Sequence, residues 1–172
     1  MVSRRILLFA GSGIASFALL LIIISVGTPN WLDDGSGYQV GLFKTCTSSL
    51  GCSTNNRVTQ GGLSVFGLLL LFFGIVTAIA GAFVENMSRY LILASVGFLF
   101  FSSMFIMSAY ATWGVYSRDS SYSAGTTLSS SCVPMSWSYN LAVASHFFLL
   151  IALTLIAMVF GEVFLQGRND SS

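Results

Sequence analysis

Residues 31–52 read WLDDGSGYQVGLFKTCTSSLGC and carry two of the three cysteines, between two long apolar runs. Asp33-Asp34-Gly35-Ser36-Gly37 is a turn signal. After it, Tyr38, Val40 and Leu42 alternate with Gln39 and Gly41 as in a short strand, until Phe43 breaks the pattern. Cys46 and Cys52 bracket Thr47-Ser48-Ser49-Leu50-Gly51, a spacing that suits a disulfide closing a tight hairpin. A bridge over so short a loop would contribute about 2 kcal/mol on the chain-entropy estimate, fixing shape more than adding stability. A metal site would need further Cys, His or acidic ligands, which the neighbourhood lacks.

Outside this stretch the chain is mostly apolar. It has 172 residues, 55% hydrophobic and 8% charged; a soluble domain of this size could not cover its surface with so little charge. Residues 6–26, 63–84, 90–111 and 141–161 contain no Asp, Glu, Lys or Arg. At 1.5 Å per residue each run spans roughly 30 Å, the thickness of a bilayer's hydrocarbon core. Backbone groups in lipid must pair within their own segment, so each run is expected to be a transmembrane helix, with loops at 27–62 and 112–140. As a signal peptide, the first run would have too long an apolar core, so a retained helix is expected. Pro29 ends that helix, and Trp31 is expected at the headgroup level.

Basic residues set the expected orientation. With the N-terminus inside, the short inner segments carry Arg4, Arg5, Arg89 and Arg168, whereas the longer outer loops carry Lys44, Arg57 and Arg118. The density per residue therefore places both termini in the cytoplasm. Cys46, Cys52 and Cys132 all fall in the loops this puts outside, where disulfides persist. Cys132 can stay free, bond another molecule, or take Cys46 or Cys52 from the other. The sequon Asn86-Met87-Ser88 falls on the inner side, where it is not used. With a net charge of +1, no nucleic-acid partner is indicated.

Several positions within the runs suggest helix contacts. Gly67, Gly74 and Gly81 recur every seven residues with Ala78 between the last two, and Gly11, Ala15 and Ala18 form a similar face on the first helix. Small residues at such spacing let another helix approach closely, and packing inside one bundle is favoured over self-association. Ser95, Ser102, Ser103 and Ser108 are expected to bond back to their own helix. Glu85 and Arg89 can pair across the short inner turn. His146 is the one ionisable side chain within a span. It lacks acidic and metal-ligand company, so an interhelical hydrogen bond is expected rather than proton relay. Residues 117–131 read as a polar, mobile loop.

Four helices with both ends inside, Trp31, then Gly41-Leu42-Phe43, Cys46 and Cys52 together resemble the claudin superfamily, whose signature is Trp, Gly-Leu-Trp, Cys and Cys. That superfamily includes the peripheral myelin and epithelial membrane proteins, clarins and calcium-channel gamma subunits. The resemblance implies an all-α membrane fold, a left-handed four-transmembrane-helix bundle topped by a small extracellular β-sheet. It also implies a Cys46–Cys52 disulfide, with Trp31 and Phe43 anchoring the sheet at the bilayer surface. The chain departs from the claudins proper in its shorter loop and in Phe43 standing for Trp, and Arg57 matches only loosely the basic residue usual before helix 2. It also lacks the cytoplasmic cysteines that claudins acylate and a C-terminal hydrophobic residue for a PDZ scaffold, so no such scaffold is expected.

The resemblance implies no enzymatic activity and no cofactor. The residues agree, since redox chemistry would want a Cys-x-x-Cys pair and a membrane hydrolase would want acidic or His pairs within the spans. The expected function is adhesion, barrier formation or paracellular permeability at cell–cell junctions of the plasma membrane. Its partners would be the lipid bilayer and other copies of itself or related proteins, in cis and in trans. Asp33, Asp34, Lys44 and Arg57 are the loop charges available to bias ion passage. The alternative is an auxiliary or organising subunit of a channel or receptor.

Overall fold

The computed structural model describes residues 4–33, 35, 37–48, 51–54, 58–84, 87–123 and 135–169. Four helices dominate: α1 (Arg4–Gly27), α2 (Val58–Phe83), α3 (Ser88–Ser123) and α4 (Trp137–Asn169). Each is long and apolar enough to cross a membrane. Between α1 and α2 lie four short strands, β1 (Leu32–Asp33), β2 (Tyr38–Val40), β3 (Lys44–Thr47) and β4 (Gly51–Thr54). They form one antiparallel sheet in sequence order.

The helices outrun the apolar runs that announce them. α3 continues twelve residues past position 111 to Ser123, through a segment that reads as loop. The loop expected at 112–140 is thus corrected at both ends, since α4 already begins at Trp137. Polarity marks where an apolar environment ends, whereas a helix ends where its backbone hydrogen bonds do, and Thr112 Oγ1 still donates to the Ser108 carbonyl (2.7 Å). Residues 117–123, expected to be mobile, continue this helix. Glu85, Asn86 and Cys132 lie outside the described residues, so neither the Glu85–Arg89 pair nor the pairing of Cys132 is seen.

Heptad spacing organises the helices into two close pairs. In the antiparallel α2/α3 pair, Ser102 Oγ donates to the Gly67 carbonyl (2.7 Å) and, seven residues along each helix, Ser95 Oγ donates to the Gly74 carbonyl (2.8 Å). The glycines make the rungs possible: a Cβ on Gly67 would lie 2.9 Å from Ile106 Cγ1, and one on Gly74 would lie 2.8 Å from Leu99 Cδ2. The next position pairs the same residue types, Gly81 and Ser88, where Ser88 Oγ is buried without a hydrogen-bond partner. Ala78 is fully buried on the same helix.

The antiparallel α1/α4 pair repeats the device. Ser145 Oγ donates to the Ala18 carbonyl (2.8 Å), and Ser25 Oγ donates to the Ser138 carbonyl (2.6 Å). Gly11 lies against Ile156, whose Cγ1 would sit 2.8 Å from an added Cβ. Both small-residue faces are therefore occupied inside the bundle. The serines correct the expectation that they bond to their own helix. Ser108 does so, to the Met104 carbonyl (2.8 Å), but Ser95 and Ser102 cross to α2 and Ser103 faces α4. A seven-residue spacing that keeps one face toward its neighbour is the period of left-handed helix packing.

Candidate functional site

The 31–52 stretch forms a cap on the bundle, and Trp31 is its pivot. Pro29 follows the end of α1 and turns the chain back over the helix ends. The Trp31 indole, 1% exposed, is buried within the protein. Its Nε1–H donates to the Ser25 carbonyl (2.8 Å), one of the last in α1, which would otherwise lack an intrahelical donor. Its ring meets Trp113 of α3 (centroids 5.4 Å apart) and Tyr139 of α4 (6.0 Å), both edge to face. A buried aromatic with its N–H satisfied is the arrangement that indoles favour.

The backbone of Trp31 joins the sheet to α4 as well. Its N–H donates to the Val40 carbonyl (3.1 Å), and its own carbonyl accepts from Ser136 N–H (3.1 Å). Leu32 forms an isolated antiparallel bridge with Met135, so the outer side of β1 is partly covered. Thr28 and Ser138 add a hydroxyl–hydroxyl hydrogen bond (2.8 Å) at the same junction. Sequence reading missed Ser25, Trp113, Ser136 and Tyr139 as partners of Trp31. The signal available was an aromatic at the cap end of both α3 and α4, with nothing local to say which would meet.

Each residue of Gly41-Leu42-Phe43 has a distinct physical role. Gly41 lies directly over the α1 exit, where a Cβ would come within 2.6 Å of Pro29 Cα and 3.0 Å of the Thr28 carbonyl oxygen. Its N–H donates to the Lys44 carbonyl (2.8 Å), closing a turn through Leu42 and Phe43 between β2 and β3. Leu42 is 1% exposed and plugs the core, whereas Phe43 is 42% exposed and packs over Gly61 at the start of α2. Phe43 is thus the motif aromatic that faces outward, and Trp31 is the one that is internal.

Cys46 and Cys52 face one another across β3 and β4 with Cα atoms 4.0 Å apart and are joined by a disulfide. Gly37 permits the neighbouring turn: its φ of 90° is one that side-chain-bearing residues rarely adopt, and its carbonyl accepts from Ser48 N–H (3.1 Å).

The four candidate loop charges are not brought together. Asp33 Oδ1 accepts from Gly35 N–H (3.0 Å), and its Oδ2 accepts from Gln39 Nε2 (3.4 Å), so this carboxylate shapes the first turn. Lys44 is exposed on β3, two strands away from Asp33. Asp34 and Arg57 lie outside the described residues. Among the described residues, no group of three or more His, Cys, Asp or Glu side chains converges as a metal site would need.

A second polar cluster lies deeper, between α3 and α4. His146 Nε2 is 2.9 Å from Ser103 Oγ, and its Nδ1 is 2.8 Å from the Tyr110 hydroxyl. Each hydroxyl can donate or accept, so either neutral tautomer of the ring is fully bonded. This is the interhelical bond expected of a lone histidine in a span. Tyr110 in turn stands edge to face with Tyr139, whose ring touches Trp31. The cluster is therefore continuous with the pivot of the cap.

No protein-family model and no curated protein matches this chain.

Proposed function

We propose that this chain is a divergent, claudin-like integral membrane protein of the plasma membrane. On this reading its four helices cross the bilayer, both termini are cytoplasmic, and the capped end faces outward. It works at cell–cell junctions, where the cap contacts neighbouring molecules in the same and the opposed membrane to give adhesion, a barrier or a selective paracellular path.

The observation that carries this reading is the cap itself. A disulfide-closed sheet is held by Trp31 and Gly41 on the ends of four membrane-length helices. An adhesive protein needs a rigid external surface and a membrane anchor, and most of the chain goes into those two parts. Mixing cells that express the tagged protein with bare cells tests it. Enrichment at contacts between two expressing cells, but not where an expressing cell meets a bare one, supports contact through the cap. An even distribution, or retention until another membrane protein is supplied, would favour an auxiliary subunit of a channel or receptor. That alternative is weakened by the glycine faces of α1 and α2, which are used within the bundle and not left for a partner.

A further inference from the structure

The bonds that join the helices are unevenly distributed. Within α1/α4 and within α2/α3, serine hydroxyls reach backbone carbonyls of the neighbouring helix, and glycines bring the helices to near-backbone contact. Neither feature recurs across the other two seams among the described residues. The α1–α2 seam brings Phe9 against Phe83 (centroids 5.9 Å apart), and both rings are largely exposed. The α3–α4 seam holds the two hydrogen bonds of His146 and the Tyr110–Tyr139 ring contact.

The cap is bonded unevenly too. Its backbone hydrogen bonds outside the sheet run to residues at the start of α4, and Gly41 sits on the α1 exit. Toward α2 and α3 it presents packing contacts, Phe43 over Gly61 and Trp31 against Trp113.

We propose that the bundle is a two-part device in which α1/α4 with the cap and α2/α3 shift against each other as rigid units, latched across the α3–α4 seam by His146 on Ser103 and Tyr110. Within each pair, hydroxyls fixed on backbone carbonyls and side chains seated on glycines set one register, whereas a seam of rings and rotatable hydroxyls can re-form after a small displacement. The latch is specific, since His146 is the one side chain in the four apolar runs that bonds through two ring nitrogens. A shift at this seam would change the tilt of the cap over α2, and it does so whatever the cap contacts.

Distances between spin labels test this in the full chain, in bicelles, with Cys132→Ser as background. One label pair, Phe101→Cys with Phe147→Cys, spans the α3–α4 seam; a second, Phe72→Cys with Phe101→Cys, lies within α2/α3; all three sites are exposed. The proposal expects His146→Leu to abolish the narrow distance across the seam while the distance within the pair stays narrow. If His146→Leu does not fold, Tyr110→Phe, which keeps the ring and removes one bond, gives the same reading. Equal broadening of both distances, or no change in either, overturns the two-part device.

Discussion

Trp31 and Ser25 are six residues apart and bonded, indole N–H to backbone carbonyl, at 2.8 Å. That bond folds the chain back over the last turn of α1 and carries the indole into the core, against Trp113 and Tyr139. The sheet is thereby seated on the end of α1. Trp31→Ala is expected to lower stability by about 3–5 kcal/mol, the range for emptying a buried aromatic site. Trp31→Phe, which keeps the ring and loses the hydrogen bond, should cost about 1 kcal/mol, because Thr28 Oγ1 also donates to the Ser25 carbonyl (3.2 Å). Unfolding in mixed detergent micelles, followed by near-ultraviolet circular dichroism, measures both; equal losses would show that the bond and not the burial matters.

Glycine substitutions should rank by what an added methyl meets. Gly41→Ala meets Pro29 backbone at 2.6 Å, which cannot rotate away, so the cap must lift. Gly74→Ala meets the tip of Leu99 at 2.8 Å, which can move, and should cost less, within about 1–3 kcal/mol. Gly97→Ala meets nothing within 4 Å and should be neutral or slightly stabilising. A thermal-shift series over the three variants checks the order.

Removing a rung is expected to weaken the α2/α3 pair modestly. Ser95→Ala and Ser102→Ala should each lose about 0.6–2 kcal/mol, the span measured for interhelical hydrogen bonds in membranes. Ser108→Ala, whose hydroxyl bonds within α3, should leave the pair unchanged. Steric-trapping measurements of helix separation distinguish these outcomes.

Reading the disulfide as a shape-fixing element gives a trafficking prediction. Cys46→Ser or Cys52→Ser should block delivery to the cell surface, while Cys132→Ser should be tolerated. Surface biotinylation of the three variants decides it, and normal levels of the first two would mean that the cap folds without its bridge.

If the cap lines a paracellular path, Lys44 is the described charge best placed to act on ions, because it is exposed while both Asp33 oxygens are hydrogen-bonded within the cap. Lys44→Glu should move selectivity toward cations, and Asp33→Asn should change it little. Dilution potentials across an expressing monolayer give the sign directly.

The sequence by itself determined the parts that depend on local composition. Runs without charge announce helices of membrane length, because an apolar run that long has few other ways to satisfy its backbone. The turn that follows Asp33 was likewise legible, and the spacing of Cys46 and Cys52 suited the disulfide that joins them, since each involves residues close in the chain; the sequence alone left Cys132 as a competitor for that pairing. Only the tertiary structure decided which helices pair closely, where the serine hydroxyls point and what surrounds Trp31. Ser102 finds Gly67 at a separation of 35 residues, and Ser25 finds Ser138 at 113. A heptad of serines looks the same whether it bonds to its own helix or to another, because the neighbouring backbone that accepts the proton leaves no local trace. Trp31 has the sequence context of an interfacial tryptophan and becomes a core residue because α3 and α4 bring Trp113 and Tyr139 to it.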